Sequence, residues 1–328
     1  MKSSDSKEIA ADLAANTALL EIAENLGLSA LLDRGVPFDL SEAARTADVP
    51  EAGTRMFLDA LVSAGLIEPG EADGRYLPAP DLADRRYEAG YLSWSLNANR
   101  PYLDHAALFL RDPEGAGARY QRDGRRVAVS SRWIGSRGFY PGVIAEITAR
   151  KPQRIVDLGA GAGGLLIQLL TALPDSTGLA LDLSAGACDE AEKAARRAEV
   201  GDRFEVVHRS IESLIDDPKP VRGADLVHAG FVMHDVVSDP DVFHGVLRTV
   251  RESLTRDGCF VVTDAVPYVG NSRERAFSAL FSYLHASSMD VRLPTEEHWR
   301  EALGRAGFRE VSSEPLGMPG SRVFVAAV

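Results

Sequence analysis

Arg154-Ile155-Val156-Asp157-Leu158-Gly159-Ala160-Gly161-Ala162-Gly163-Gly164 is the stretch on which the reading of the chain turns. Ile155 to Leu158 read as a short buried strand. Gly159, Gly161 and Gly163 follow at every second position and make a turn without Cβ atoms. Leu165 to Leu173 then read as a helix. A strand, a glycine turn and a helix in this order let a ligand lie against bare backbone beside a helix N-terminus. The spacing G-x-G-x-G differs from the dinucleotide pattern G-x-G-x-x-G, and alone it also describes a tight βα turn in any α/β domain.

The next apolar run sharpens the reading. Gly178-Leu179-Ala180-Leu181-Asp182-Leu183 reaches an acid 19 residues after Gly163. A carboxylate at the tip of a second strand can accept hydrogen bonds from both hydroxyls of a ribose, so the pair of signals points to an adenosine-type ligand. Asp157, just before the glycines, would repel phosphates and suits a ligand with a cationic amino group. On these residues the chain resembles the class I S-adenosylmethionine-dependent methyltransferases, whose first motif has the form E/D-x-G-x-G-x-G. The resemblance implies that Asp157, Gly159, Gly161 and Gly163 flank the methionine part of S-adenosyl-L-methionine and that Asp182 binds its ribose. Ser210 and Ile211, after Phe204-Glu205-Val206-Val207, fall where such enzymes contact adenine; that position often holds an acid, and Ser210 departs from it.

From 151 onward strands (155–158, 178–182, 203–207, 224–228, 258–264) alternate with helices (notably 185–199 and 239–256), and Phe308 to Ser313 with Arg322 to Val328 read as a terminal hairpin. The fold class is therefore α/β, a Rossmann-like, doubly wound and mostly parallel sheet closed by an antiparallel hairpin. Upstream, residues 8–34 carry apolar positions at threes and fours (Ile9, Leu13, Leu19, Leu20, Ile22, Leu26). A short helix starts near Asp39 with Ser41 as its cap, and a second starts at Val49-Pro50-Glu51 and ends at Gly65. Leu66-Ile67-Glu68 and Arg75-Tyr76-Leu77 read as a wing around Gly70 and Gly74. Three segments result: a winged-helix-like region over 1–100, a helical connector lining the substrate site over 101–150, and a cofactor-binding catalytic domain over 151–328.

Charge argues against DNA as the partner of that winged helix. Between Asp39 and Leu82 nine acids face three arginines, where a phosphate backbone would need basic groups. The whole chain carries a net charge of −12, which also disfavours anionic membranes. Its two cysteines, Cys188 and Cys259, supply neither a disulfide framework nor a cysteine zinc pattern. With no apolar run of about 18 residues and no signal-peptide core, the expectation is a soluble cytoplasmic protein. The resemblance adds that the winged-helix region is a dimerisation module, hence a homodimer.

The reacting centre is expected after strand 224–228, in His228-Ala229-Gly230-Phe231-Val232-Met233-His234-Asp235-Val236-Val237, because the carboxyl ends of strands in such sheets face the ligand crevice. Many O-methyltransferases have a similar His-Asp pair followed by tryptophan, their histidine acting as general base; here valine follows. His285, in the apolar helix Phe281-Ser282-Tyr283-Leu284-His285-Ala286-Ser287-Ser288-Met289, lies 51 residues after His234. It is either a satisfied core histidine or, with His234 and Asp235, the third ligand of a divalent metal with open positions.

That pattern resembles the bacterial metal-dependent 2-oxo acid C-methyltransferases, of the phenylpyruvate C-methyltransferase type. The resemblance implies iron or another first-row ion held by His234, Asp235 and His285. It also implies methyl transfer to C3 of a chelated 2-oxo acid, yielding β-methyl amino acid precursors for natural products. Trp94 and Arg122 stand as substrate contacts by the same resemblance, Arg122 within the basic cluster Arg119 to Arg126; Met233 and Tyr283 are expected to shape the pocket. The alternative is a metal-independent small-molecule O-methyltransferase with His234 as general base. A cofactor-binding regulator that uses the winged helix is disfavoured by its acidic surface.

Overall fold

The computed structural model describes residues 3–70 and 74–328, with side chains from residue 9 onward. Glu71 and Asp73, two of the nine acids counted above, lie outside the described residues, as do Met1 and Lys2. The chain forms two compact units, Met1–Asp104 with Tyr120–Arg137 and His105–Arg119 with Gly138–Val328. The stretch 101–150 is thus shared between them.

In the first unit the expected long helix runs Ser3–Asn25 and is followed by a short one, Ser29–Asp33. Helix Leu40–Ala47 is capped by Asp39 and not by Ser41: Asp39 is extended, and its carboxylate accepts from the Glu42 backbone N–H at 2.8 Å. Ser41 already lies inside the first turn, where it cannot serve as the cap. Helix Glu51–Ser63 completes the helical pair. Among the described residues the wing has three strands: β1 (Phe38–Asp39), β2 (Ile67–Pro69) and β3 (Arg75–Pro78), in the antiparallel order β1-β3-β2. β1 is too short to show any periodicity in sequence. Leu20, Leu31, Leu58, Leu61, Leu66 and Trp133 make the core of this unit.

The second unit is built on β4 (Arg154–Leu158), β5 (Thr177–Asp182), β6 (Phe204–His208), β7 (Ala224–Gly230), β8 (Leu254–Ala265), β9 (Glu310–Pro315) and β10 (Ser321–Ala327). Their order is β6-β5-β4-β7-β8-β10-β9. β4 to β8 are parallel, and β10 runs antiparallel to both β8 and β9, the expected hairpin. The central strands are apolar throughout most of their length because helices cover both faces. Val156, Leu158, Val227, Phe260 and Val262 pack on one face with Phe243 and Trp299; Ile155, Leu226 and Val261 pack on the other with Val143, Leu166 and Leu170. Helix Pro240–Ser253 stops three residues earlier than its sequence pattern, because Leu254 already pairs with Ala224 in the sheet.

The chain leaves β4 outward through β5 and β6, then returns to the other side of β4 as β7. Strand order therefore reverses between β4 and β7, and a crevice opens above their carboxyl ends. That is where Asp157 and the glycines end one strand and His228 to His234 leave the other.

Both cysteines belong to this unit and both are buried. Burial pushes the Cys259 thiol up to about 11, and desolvation also raises that of Cys188. Since the thiolate is the reactive species, native protein at neutral pH should take up almost no iodoacetamide at either site. Unfolded protein should be alkylated at both, which intact-mass spectrometry would read directly. No described helix is long and apolar enough to cross a membrane.

Candidate active site

The glycine turn is held by its neighbours. Gly159 donates its N–H to the Leu181 carbonyl at 2.8 Å, and Gly161 donates to Asp182 Oδ2 at 2.8 Å. Gly159 and Gly161 have φ of 68° and 54°, the left-handed region where side chains are disfavoured. A Cβ on Gly159 would meet Val232 Cγ2 at 2.8 Å, whereas a Cβ on Gly161 would meet nothing within 4 Å. Helix Gly164–Ala172 follows, and Gly163 at its N-cap supplies no side-chain cap. Its first N–H groups are thus left for a ligand.

Asp182 closes β5 with both carboxylate oxygens engaged, Oδ1 by the Ser184 N–H and Oδ2 by Gly161, each at 2.8 Å. Each oxygen keeps a second lone pair, so the carboxylate can fix the turn and still accept from a ligand hydroxyl. Beyond β6 the Arg209 N–H donates to the Asp182 carbonyl at 2.9 Å, which brings Ser210 and Ile211 beside it. Ile211 is buried in the core and Ser210 is half-buried.

Asp157 is 4% exposed, and its Oδ1 lies 2.7 Å from His228 Nδ1. His228 Nε2 in turn lies 3.2 Å from Thr263 Oγ1.

On the other face of the sheet, Asp264 is fully buried at the end of β8. Its Oδ1 accepts from His234 Nδ1 at 2.7 Å and from the Ala265 N–H at 2.8 Å, while Oδ2 accepts from the His234 N–H at 3.2 Å. A carboxylate can only accept, so Nδ1 of His234 carries its proton there and the Nε2 lone pair is the basic one. A buried carboxylate behind an imidazole fixes its tautomer and stabilises the imidazolium formed when it takes a proton.

His285 brings its ring edge-to-face against His234, centroids 5.2 Å apart, and its own Nδ1 donates to the Phe281 carbonyl at 2.8 Å. Immediately upstream of His234, Phe231 holds φ at 53°, its N–H donating to the Thr263 carbonyl at 2.7 Å. A bulky residue in that region marks strain at a site. Phe139 packs on the Phe231 ring, with centroids 4.7 Å apart.

The expected metal set is only partly assembled. His234 and His285 meet, but the Asp235 side chain is 63% exposed, its Oδ1 3.6 Å from His234 Nε2. Among the described residues no group of three or more His, Cys, Asp or Glu is arranged to hold a metal ion. The short hydrogen bond of His234 runs through Nδ1 to Asp264, two elements away, while the largely exposed Asp235 carboxylate lies on the Nε2 side of the ring beyond hydrogen-bond distance.

Met233 is fully buried in the core below the site, and Tyr283 is half-buried on the helix that carries His285. Trp94 and Arg122 belong to the other unit. There Trp94 sits in a π-helical segment, Ser93–Ala98, whose Ser93 and Asn97 donate to Glu21 at 2.6 and 2.9 Å. The Asp123 N–H donates to the Ala98 carbonyl at 2.9 Å, tying the loop of Arg122 to that segment.

Two residues of the site are not singled out by the sequence alone, His228 and Asp264. They fall in the runs Leu226-Val227-His228 of β7 and Val261-Val262-Thr263-Asp264 of β8. Each is a polar residue near the carboxyl end of a parallel strand, following a short apolar run. That signal gains meaning only once both strands are taken as neighbours of the glycine turn.

Residues 156–260 match the methyltransferase-domain family. O-methyltransferase SfmM3 of Streptomyces lavendulae is 29% identical over 180 residues, 53% of this chain and 52% of that protein, so the match spans about half of either. The 3-hydroxy-5-methyl-1-naphthoate 3-O-methyltransferase of Streptomyces sahachiroi is 24% identical, over 95% of each chain. Among solved structures, human N-acetylserotonin methyltransferase in complex with SAM aligns with a TM-score of 0.60 at 18% identity, covering 100% of this chain and 99% of that one. At that identity the likeness speaks for the fold alone. Residues 156–260 thus carry the likeness to a methyltransferase domain, and the chain as a whole has the Rossmann-like fold of solved methyltransferase structures.

Proposed function

We propose that the protein is a metal-independent O-methyltransferase acting on a small hydroxylated molecule, with His234 as general base. The observation that carries this reading is the buried Asp264–His234 pair, 2.7 Å between Oδ1 and Nδ1. It leaves Nε2 as the basic nitrogen. The substrate hydroxyl gives its proton to Nε2 as its oxygen attacks the sulfonium methyl; the S–CH3 bond breaks and S-adenosylhomocysteine leaves with the electron pair. Asp264 stabilises the imidazolium until the proton passes to solvent. The names of the two Streptomyces relatives, both O-methyltransferases, favour the same chemistry. The proposal includes a homodimer formed through the N-terminal unit, where Ile9, Ile22 and Met56 are exposed.

A second reading, C-methylation of a 2-oxo acid with a first-row ion at His234, Asp235 and His285, is favoured by one observation, the two buried imidazoles in ring contact. Elemental analysis of wild-type protein and His285→Ala, beside activity on phenols and on 2-oxo acids, separates the two. Methylation of a phenol, with no stoichiometric metal in either protein, is the expected result. About one divalent ion per chain, lost in His285→Ala, with transfer to C3 of a 2-oxo acid, would replace the first reading by the second.

A further inference from the structure

We propose that His228 is a positioning residue for the amino-acid end of the cofactor, acting through Asp157. The proposal rests on the reading that the Asp157 carboxylate faces the cofactor's ammonium group. Asp157, His228 and Thr263 lie on three adjacent strands, β4, β7 and β8, and Asp157 pairs with His228 directly in the sheet register. All three are buried, at 4%, 3% and 1% exposure. Their side chains share the face of Ile155, Leu226 and Val261, as alternation along each strand requires.

Nothing in the packing asks for a histidine there: the same face is otherwise apolar, and a buried imidazole is tolerated only when its nitrogens are paired. Here they are. The Asp157 carboxylate accepts from Nδ1–H at 2.7 Å, and the Thr263 hydroxyl, 3.2 Å from Nε2, can donate to the ring's other nitrogen. The three groups are then satisfied together. One carboxylate oxygen is held in a fixed direction, at the point where strand order reverses, and the other serves the ammonium.

The test is calorimetric binding of S-adenosylhomocysteine and of 5′-methylthioadenosine, which lacks the amino-acid end, to the full chain and its variants. His228→Leu should weaken S-adenosylhomocysteine about tenfold, the loss expected for one hydrogen bond to a charged group, and leave 5′-methylthioadenosine within about twofold. His228→Asn, whose amide N–H reaches near the Nδ1 position, should restore S-adenosylhomocysteine to within about threefold of wild type. If Asp157→Asn leaves S-adenosylhomocysteine binding unchanged, the reading of Asp157 is wrong and the proposal falls with it. If Asp157→Asn weakens binding and His228→Leu does not, Asp157 keeps its role and the positioning role of His228 is overturned. Equal losses for both ligands in His228→Leu would make the residue a packing element and overturn it too. Should His228→Leu fail to fold, Thr263→Val replaces it, with a loss of about threefold confined to S-adenosylhomocysteine expected and no loss counting against the proposal.

Discussion

Asp264→Asn is expected to lower kcat by about 10²- to 10⁴-fold, close to the effect of His234→Ala, while affinity for S-adenosylhomocysteine holds. The amide is isosteric but cannot satisfy the same three donors. With its oxygen at the Oδ1 position it keeps His234 Nδ1 and Ala265 N–H but turns its own N–H₂ on the His234 N–H. Turned the other way, it presents a donor to Nδ1, which drives the ring to the tautomer with no lone pair on Nε2. Either way the charge that stabilises the imidazolium is gone. Because the two residues act as a unit, the double variant should be little worse than either single one. A steady-state comparison of the three, with binding measured in parallel, checks this; a fully active Asp264→Asn would remove His234 from the role of base.

Gly159→Val and Gly161→Ala should fail in different ways. At Gly159 a side chain must take a left-handed backbone and displace Val232, whose three side-chain carbons lie within 3.0 Å of the Cβ position. Val232 leads straight into the helix of His234, so the disturbance reaches the proposed base. A loss of roughly 2–4 kcal/mol is expected from strain plus overpacking, read as a fall in melting temperature. At Gly161 the protein offers the new methyl open space, and only backbone strain of about 1–2 kcal/mol applies. On the proposed reading that S-adenosylmethionine lies against this turn, that space is where it would approach. Gly161→Ala should therefore remain folded and lose most of its S-adenosylmethionine binding, measured by calorimetry beside the melt. A Gly161→Ala protein with normal affinity would mean that the ligand does not approach this turn.

Much of the fold was legible because it rests on local pattern. Ile155 to Leu158 and Leu179 to Leu181 are largely apolar runs, and a strand covered on both faces needs little else. The glycines and Asp182 were legible for the same reason, since a tight turn restricts which residues can occupy it. The proposed base was half legible. His234 stood out beside Asp235 in sequence, yet its partner is Asp264, 30 residues further on, and only the pairing of β7 with β8 brings the two together. Sequence adjacency put Asp235 forward as a metal ligand and said nothing of the carboxylate that meets Nδ1 from another strand. His228 was unreadable for a related reason: a lone histidine in an apolar strand carries no sign of its cross-strand neighbour. The cap at Asp39 shows the same limit on a smaller scale, because Asp39 and Ser41 are both good caps and only the backbone conformation at Asp39 chooses.

Thr263 and Asp264 are consecutive, yet one completes the Asp157–His228 group and the other holds His234 from the opposite face. From Cys259 to Thr263 the pairing of β8 with β7 is unbroken, whereas the irregularity lies upstream, between Ala224 and Leu226. A single-residue deletion inside the regular ladder would exchange the faces of Thr263 and Asp264, uncoupling the cofactor end and the proton-accepting end in one event. Substitutions can tune each end separately, but length changes cannot, so lineages carrying this arrangement should vary in the residues of β8 far more readily than in its residue count.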